Sequence, residues 1–238
     1  MRDHSPKFFM NSDFAPVLLD HIEPAVYMDH WSVQPFNGQA RRIKSIFALA
    51  EAFSPTHVVE TGTYMGSSTP YLASFASGPT YTIEIEEQYA ARARKRFELN
   101  HAPLAIELVL GDSAQRIRDV LTRITAADSR VLAYLDAHWL DQIPTTEELE
   151  ALDAWGGCWL AIIDDFKVEG DAGYGFDLYG DVVIGPTIVP EIAGVQIWIP
   201  AEPASRETGA RRGTGYVLSA QAVPLIPEHA LDGLRRVR

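Results

Sequence analysis

His57-Val58-Val59-Glu60-Thr61-Gly62-Thr63-Tyr64-Met65-Gly66-Ser67-Ser68 runs from an apolar stretch into a glycine turn and on toward a helix. Gly62 and Gly66 let a backbone approach a ligand closely, and Ser67 or Ser68 can cap the helix with a side-chain oxygen. Strand, glycine turn and helix in that order form the opening unit of an open parallel sheet, whose ligands lie at the carboxyl ends of the strands.

Outward from this unit, strand-like and helix-like segments alternate. Strands fit 80–85, 105–110, 131–135 and 158–163, and helices fit 67–76, 87–100, 114–124 and 144–155. The alternation predicts βαβ units. Val-Leu-Ala-Tyr-Leu (131–135) and Trp-Leu-Ala-Ile-Ile (159–163) are apolar on both faces, as strands covered by helices from both sides are. Upstream, Ile43, Ile46, Phe47 and Ala50 share a helical face until Ser54-Pro55 ends it. Downstream, 166–185 is a glycine-rich loop carrying Tyr174, Phe176, Asp177 and Tyr179, where a lid or a subunit contact is expected. Val195–Ile199 and Tyr216–Ser219 read as an antiparallel hairpin. The expected fold is α/β: a Rossmann-like, doubly wound, mostly parallel seven-stranded sheet with an antiparallel C-terminal hairpin. It spans 37–238, preceded by an arm over 1–36 that Pro6, Pro16, Pro24 and Pro35 interrupt. Such an arm covers a site or packs on a second subunit, which admits a homo-oligomer.

Composition narrows the function. The formal charge of −12 disfavours a nucleic-acid partner, whose phosphates need basic residues. No apolar stretch approaches a membrane span, and the N-terminus lacks a secretory pattern, so a cytoplasmic protein is expected. The single cysteine, Cys158, excludes a disulfide framework and a multi-cysteine zinc site. Arg206, Arg211 and Arg212 fall in a loop, where one could grip an anionic substrate.

Acidic residues recur at strand ends. Glu84 closes the second strand, where a carboxylate can accept both hydroxyls of a ribose, and Gly111-Asp112-Ser113 can frame an adenine edge. Glu60 beside the glycine turn would repel a pyrophosphate and attract a cation; with no third glycine, a nicotinamide dinucleotide is disfavoured. Asp136, Asp164 and Asp165 close two neighbouring strands, and their oxygens can converge on a hard divalent cation such as magnesium. The bland alternative has these aspartates capping helices or pairing with lysines such as Lys167. His138, two residues beyond Asp136, suits a base working near neutral pH, or else a packing contact.

Taken together, these segments resemble class I S-adenosylmethionine-dependent methyltransferases, and among them the metal-dependent small-molecule O-methyltransferases. The likeness covers about 57–166: Glu60, Gly62, Tyr64, Gly66 and Ser68 in the first motif, Thr82-Ile83-Glu84-Ile85 in the second, Gly111 and Ser113 in the third, and the aspartates of the fourth and fifth strands. It implies that Gly62, Tyr64 and Ser68 hold the methionyl portion of the cofactor, that Glu84 binds its ribose, and that Trp139 packs on its adenine. The acid pair Asp164–Asp165 resembles the macrolide-sugar branch more than the catechol branch, which has a lysine base absent here. The expectation is transfer of a methyl group to a hydroxyl of a small molecule. A sugar or glycosylated natural product is the first choice of acceptor and a catechol or polyphenol the second; a non-catalytic binding subunit of the same fold is the competing class.

Overall fold

The computed structural model describes residues 34–99, 104–138 and 143–238. The proposed arm over 1–36, all but its last three residues, and Trp139 lie outside the described residues.

Eight strands form the main sheet among the described residues: β1 (His57–Thr61), β2 (Thr80–Glu84), β3 (Ile106–Leu110), β4 (Arg130–Leu135), β5 (Cys158–Asp164), β8 (Gln196–Pro200), β9 (Thr214–Leu218) and β10 (Leu234–Arg236). Their order is β10-β8-β9-β5-β4-β1-β2-β3. The five strands from β3 to β5 are parallel, and β9, β8 and β10 each pair antiparallel with a neighbour. The expected seven strands become eight because the chain end, Leu234–Arg236, pairs with Trp198–Pro200 at the sheet edge. A small separate hairpin, β6 (Leu178–Tyr179) and β7 (Val182–Val183), lies within the glycine-rich loop.

Side-chain alternation along the strands builds two cores. Val58, Leu132, Tyr134, Leu160 and Ile162 face α1 (Ala40–Phe53) and α2 (Thr69–Ala73). Val59, Val131, Ala133, Leu135, Trp159, Ala161 and Ile163 face α4 (Ser113–Leu121) and α5 (Thr145–Trp155). The remaining long helix, α3 (Glu87–Leu99), buries only Ala90 and Ala93; its charged residues are exposed apart from Arg96, which is half-buried and donates to the Ser67 hydroxyl at 2.8 Å. Helix α1 buries Ile43, Ile46 and Ala50 of the expected face, with Phe47 half-buried against it, and the buried face widens to take in Arg42, Leu49 and Phe53. The Glu207 carboxylate accepts hydrogen bonds from the amides of Arg41 and Arg42, satisfying donors that the first turn leaves open.

Register sets up the site. Thr61 lies opposite both Ile83 and Leu135, and Leu135 lies opposite Ile163. The next residues in these four strands, Gly62, Glu84, Asp136 and Asp164, therefore leave the sheet at one level. Strand order reverses between β1 and β4, the switch point where open α/β sheets bind ligands.

Candidate cofactor and cation site

Gly62 takes a left-handed φ of 78° and passes against the carbonyl of Asp136, where any Cβ would collide with backbone. A side chain here would force β1 and β4 apart at their ends, so this glycine serves packing and opens the cleft at once. Beyond it lies a cavity of about 380 Å³, lined by Gly62, Tyr64, Glu84, Tyr89, Asp112, Ser113, Asp136, His138, Asp165 and Asp177, among others. That volume suits a nucleoside-sized ligand. A smaller cavity of about 60 Å³ shares Asn37, Gly62, Tyr64 and Asp136 with it and adds Ser67 and Ser68.

Glu84 is held in a fixed pose. One carboxylate oxygen accepts from the Tyr64 amide at 2.7 Å, and the other from the Glu86 amide at 2.9 Å. Each oxygen keeps lone-pair capacity for a ligand hydroxyl. Asp112 caps α4 by accepting from the Ala114 amide at 3.0 Å and also lines the cavity. The Tyr64 and Tyr89 rings lie 4.7 Å apart at the rim.

Two first-motif residues work from behind the cavity. Glu60 is fully buried and accepts hydroxyl hydrogen bonds from Ser68, Thr69 and Thr82 at 2.5, 2.5 and 2.6 Å. Burial pushes its carboxyl pKa up and the three hydroxyls restrain the rise. Glu60 thus ties β1, β2 and the start of α2 into one unit and lines neither cavity. Gly66, at φ 68°, packs against the Phe97 ring and Ala93, which makes room for α3.

The three aspartates have different surroundings. Asp164 follows the parity of Leu160 and Ile162 toward α1, where the buried Arg42 guanidinium pairs with it at 2.7 Å. Tyr134 donates its hydroxyl to Asp164 at 3.0 Å, Asn37 donates its amide at 3.3 Å, and the Asp165 amide donates at 2.7 Å. Burial alone would raise the Asp164 pKa; the Arg42 cation outweighs it and holds the carboxyl below its usual range. Asp165 takes a left-handed φ of 52°, which breaks strand alternation and turns its side chain back toward β4. Asp136 sits beside both, and desolvation together with the charges of Asp164 and Asp165 pushes its pKa well above the ordinary value, although its side chain keeps 37% exposure.

His138 completes the group. Its side chain is 1% exposed, and neither ring nitrogen has a hydrogen-bond partner among the described residues. Nε2 faces Asp165 at 3.6 Å, Asp136 at 3.9 Å and Asp177 at 3.9 Å. Desolvation lowers the imidazole pKa, but the surrounding carboxylates, Asp165 foremost, raise it above 6.5 overall. One atom each from Asp136, His138 and Asp165 lie within 4.8 Å of one another, a spacing one cation can span. The expected trio contained Asp164; the trio within ligand reach contains His138 in its place.

Arg212 supplies a cation of the protein's own, donating through Nε to Asp165 and through Nη2 to Asp177. It reaches across from the loop whose arginines could grip an anionic substrate, and it grips carboxylates of the same chain. Lys167 pairs with none of the three aspartates; its ammonium lies over the Phe176 ring. Asn37, Arg42 and Glu148 had no place in the expected site. Arg42 alone left a signal, since it falls four, seven and eleven residues before Ile46, Leu49 and Phe53 on an apolar helical face.

No protein-family model and no curated protein matches the chain. Solved structures do. A protein assigned as an O-methyltransferase from Klebsiella pneumoniae aligns with a TM-score of 0.56 at 18% identity, covering 89% of this chain and 92% of that one. Cofactor-bound Rv0187 from MTB aligns at 0.53 and 18% identity over 93% of this chain and 100% of its own. A protein assigned as a caffeoyl-CoA O-methyltransferase from Staphylococcus aureus aligns at 0.51 and 14% identity over 90% and 95%. Likeness at these identities establishes the fold: the chain has the architecture of class I O-methyltransferases.

Proposed function

We propose that the protein is an S-adenosylmethionine-dependent O-methyltransferase acting on a hydroxyl of a small molecule, with a divalent cation, magnesium by preference, beside the cofactor. The observation that carries this reading is the continuity of one cavity from the fixed Glu84 carboxylate to the buried imidazole of His138 and its ring of acids.

Glu84 would take the ribose hydroxyls, Asp112 and Ser113 the adenine edge, and Gly62, Tyr64 and Ser68 the methionyl end. Glu60 and Gly66 shape the turn from behind. The described residues lining the main cavity include six carboxylates and no lysine or arginine, a field that favours a cationic ligand such as a sulfonium. The bound cofactor supplies an electrophilic methyl group. Asp136 and Asp165 would hold the cation; magnesium takes one or two carboxylates and keeps waters that acceptor oxygens can replace. That assignment leaves the His138 imidazole free to take the acceptor's proton. The proposed acceptor is a small molecule with two adjacent hydroxyls, a sugar or glycosylated natural product first and a catechol second.

Arg212 favours a second reading in which the site works without a metal, because its guanidinium already neutralises Asp165 and Asp177. Titration calorimetry with S-adenosylhomocysteine tests the cofactor assignment, and binding is expected; no detectable heat or thermal shift would end the methyltransferase reading. Turnover of a sugar or catechol acceptor should stop in chelator and return with magnesium. Undiminished turnover in chelator selects the metal-free reading.

A further inference from the structure

Asp177 lies in the glycine-rich loop, twelve positions beyond Asp165, yet the structure ties it to the same point. Its amide donates to the Asp165 carbonyl at 3.0 Å, and its carbonyl accepts from the Ile184 amide at 3.0 Å, closing the base of the β6–β7 hairpin. Arg212 holds its Oδ1. The Tyr179 hydroxyl donates to its Oδ2 at 2.9 Å and also reaches the His138 carbonyl at 3.2 Å. That Oδ2 stands 3.9 Å from His138 Nε2, as far as Asp136 Oδ1 does. The buried imidazole, unpartnered among the described residues, is therefore aimed into a space that Asp177 closes from the loop side.

We infer that Asp177 is a positioning residue for the cation, accepting a hydrogen bond from a metal-bound water and so coupling occupancy of the site to docking of the β6–β7 hairpin. The inference rests on the reading in which Asp136 and Asp165 hold a divalent cation. Asp177 falls outside the tight three-atom group, which suits contact through a water. Magnesium and manganese keep such waters, and outer-layer carboxylates orient them. Arg212 shares the acids without filling this role: it occupies the Oδ1 atoms and leaves the Oδ2 atoms of Asp165 and Asp177 toward His138. The loop thereby acquires a task that its glycine content alone does not specify.

The test uses Mn2+ alone as probe, with binding to the full chain followed by electron paramagnetic resonance and calorimetry. Asp177→Asn should weaken Mn2+ binding by roughly 10- to 100-fold while the variant still binds S-adenosylhomocysteine, with the exposed Asp153→Asn as a neutral control. Wild-type Mn2+ affinity in Asp177→Asn overturns the inference and leaves the metal reading standing. A wild-type chain that binds no Mn2+ but does bind S-adenosylhomocysteine removes the metal reading itself. Should Asp177→Asn not fold, the wild-type chain carries the test. Mn2+ is expected to slow hydrogen exchange across 177–184, and unchanged exchange there overturns the inference.

Discussion

Asp164 and Asp165 are adjacent, and a regular strand would send their side chains to opposite faces. The structure keeps Asp164 on the α1 side, where Arg42 meets it, and spends a left-handed backbone at Asp165 to bring that carboxylate round toward Asp136 and His138. Asp164 is thus occupied by donors, and its role is to fix Asp165 through the 2.7 Å bond from the Asp165 amide. Arg42→Met should destabilise the protein by about 3–5 kcal/mol in urea unfolding, because it strands a buried charge. Arg42→Met with Asp164→Asn should recover most of that loss. A single-variant cost below about 1 kcal/mol would mean the pair is not the anchor described. Because the Asp164 pKa is lowered, the pair's contribution is present above the ordinary carboxylate pKa and is lost as pH falls through the folded value. His138→Gln should cut turnover by roughly 10²–10⁴-fold and abolish the rise of rate with pH, while Mn2+ affinity stays unchanged. Loss of Mn2+ binding would instead make His138 a ligand.

Helix α5 carries a feature unrelated to its periodicity. Glu148, in its first turn, is fully buried, and neither carboxylate oxygen has a hydrogen bond of good geometry among the described residues. Desolvation raises its pKa to about 7, against opposing hydroxyls of Ser113 and Thr61 and the charge of His138. The folded state keeps a proton that the unfolded chain releases at its ordinary pKa of 4.5. Stability should therefore fall as pH rises from the ordinary value to about 7. The loss is on the order of 3 kcal/mol. Glu148→Gln should flatten that fall when urea melts at about pH 5 and about pH 8 are compared; an equal decline in the variant would contradict the assignment. Elements with strong patterns were legible from the chain: β4 and β5 are apolar on both faces and lie in the sheet interior. The helix expected over 67–76 shortens to Thr69–Ala73, since residues 62–68 form the turn that Glu60 braces.

Across the whole molecule, the alternation of short apolar strands with amphipathic helices suffices for the doubly wound sheet, because strand and helix periods are local properties of neighbouring residues. The same local logic places Gly62, Glu84, Asp136 and Asp164 at strand ends, where parallel register brings them level. The partners of each acid were not legible. Arg42, Arg212 and Asn37 reach the site from segments far away in the chain, and whether a carboxylate meets a guanidinium, a hydroxyl or open cavity depends on distances that exist only once the sheet is assembled. Glu60 shows the difference well: beside a glycine turn it reads as a ligand contact, and three hydroxyls from α2, its cap and β2 make it an internal brace. Pattern along the chain was enough for the architecture and for which acids gather, since both follow from short-range periodicity. The division of those acids into anchor, cavity lining and cation-facing groups waited on folding, since desolvation and charge pairing are set by three-dimensional neighbours.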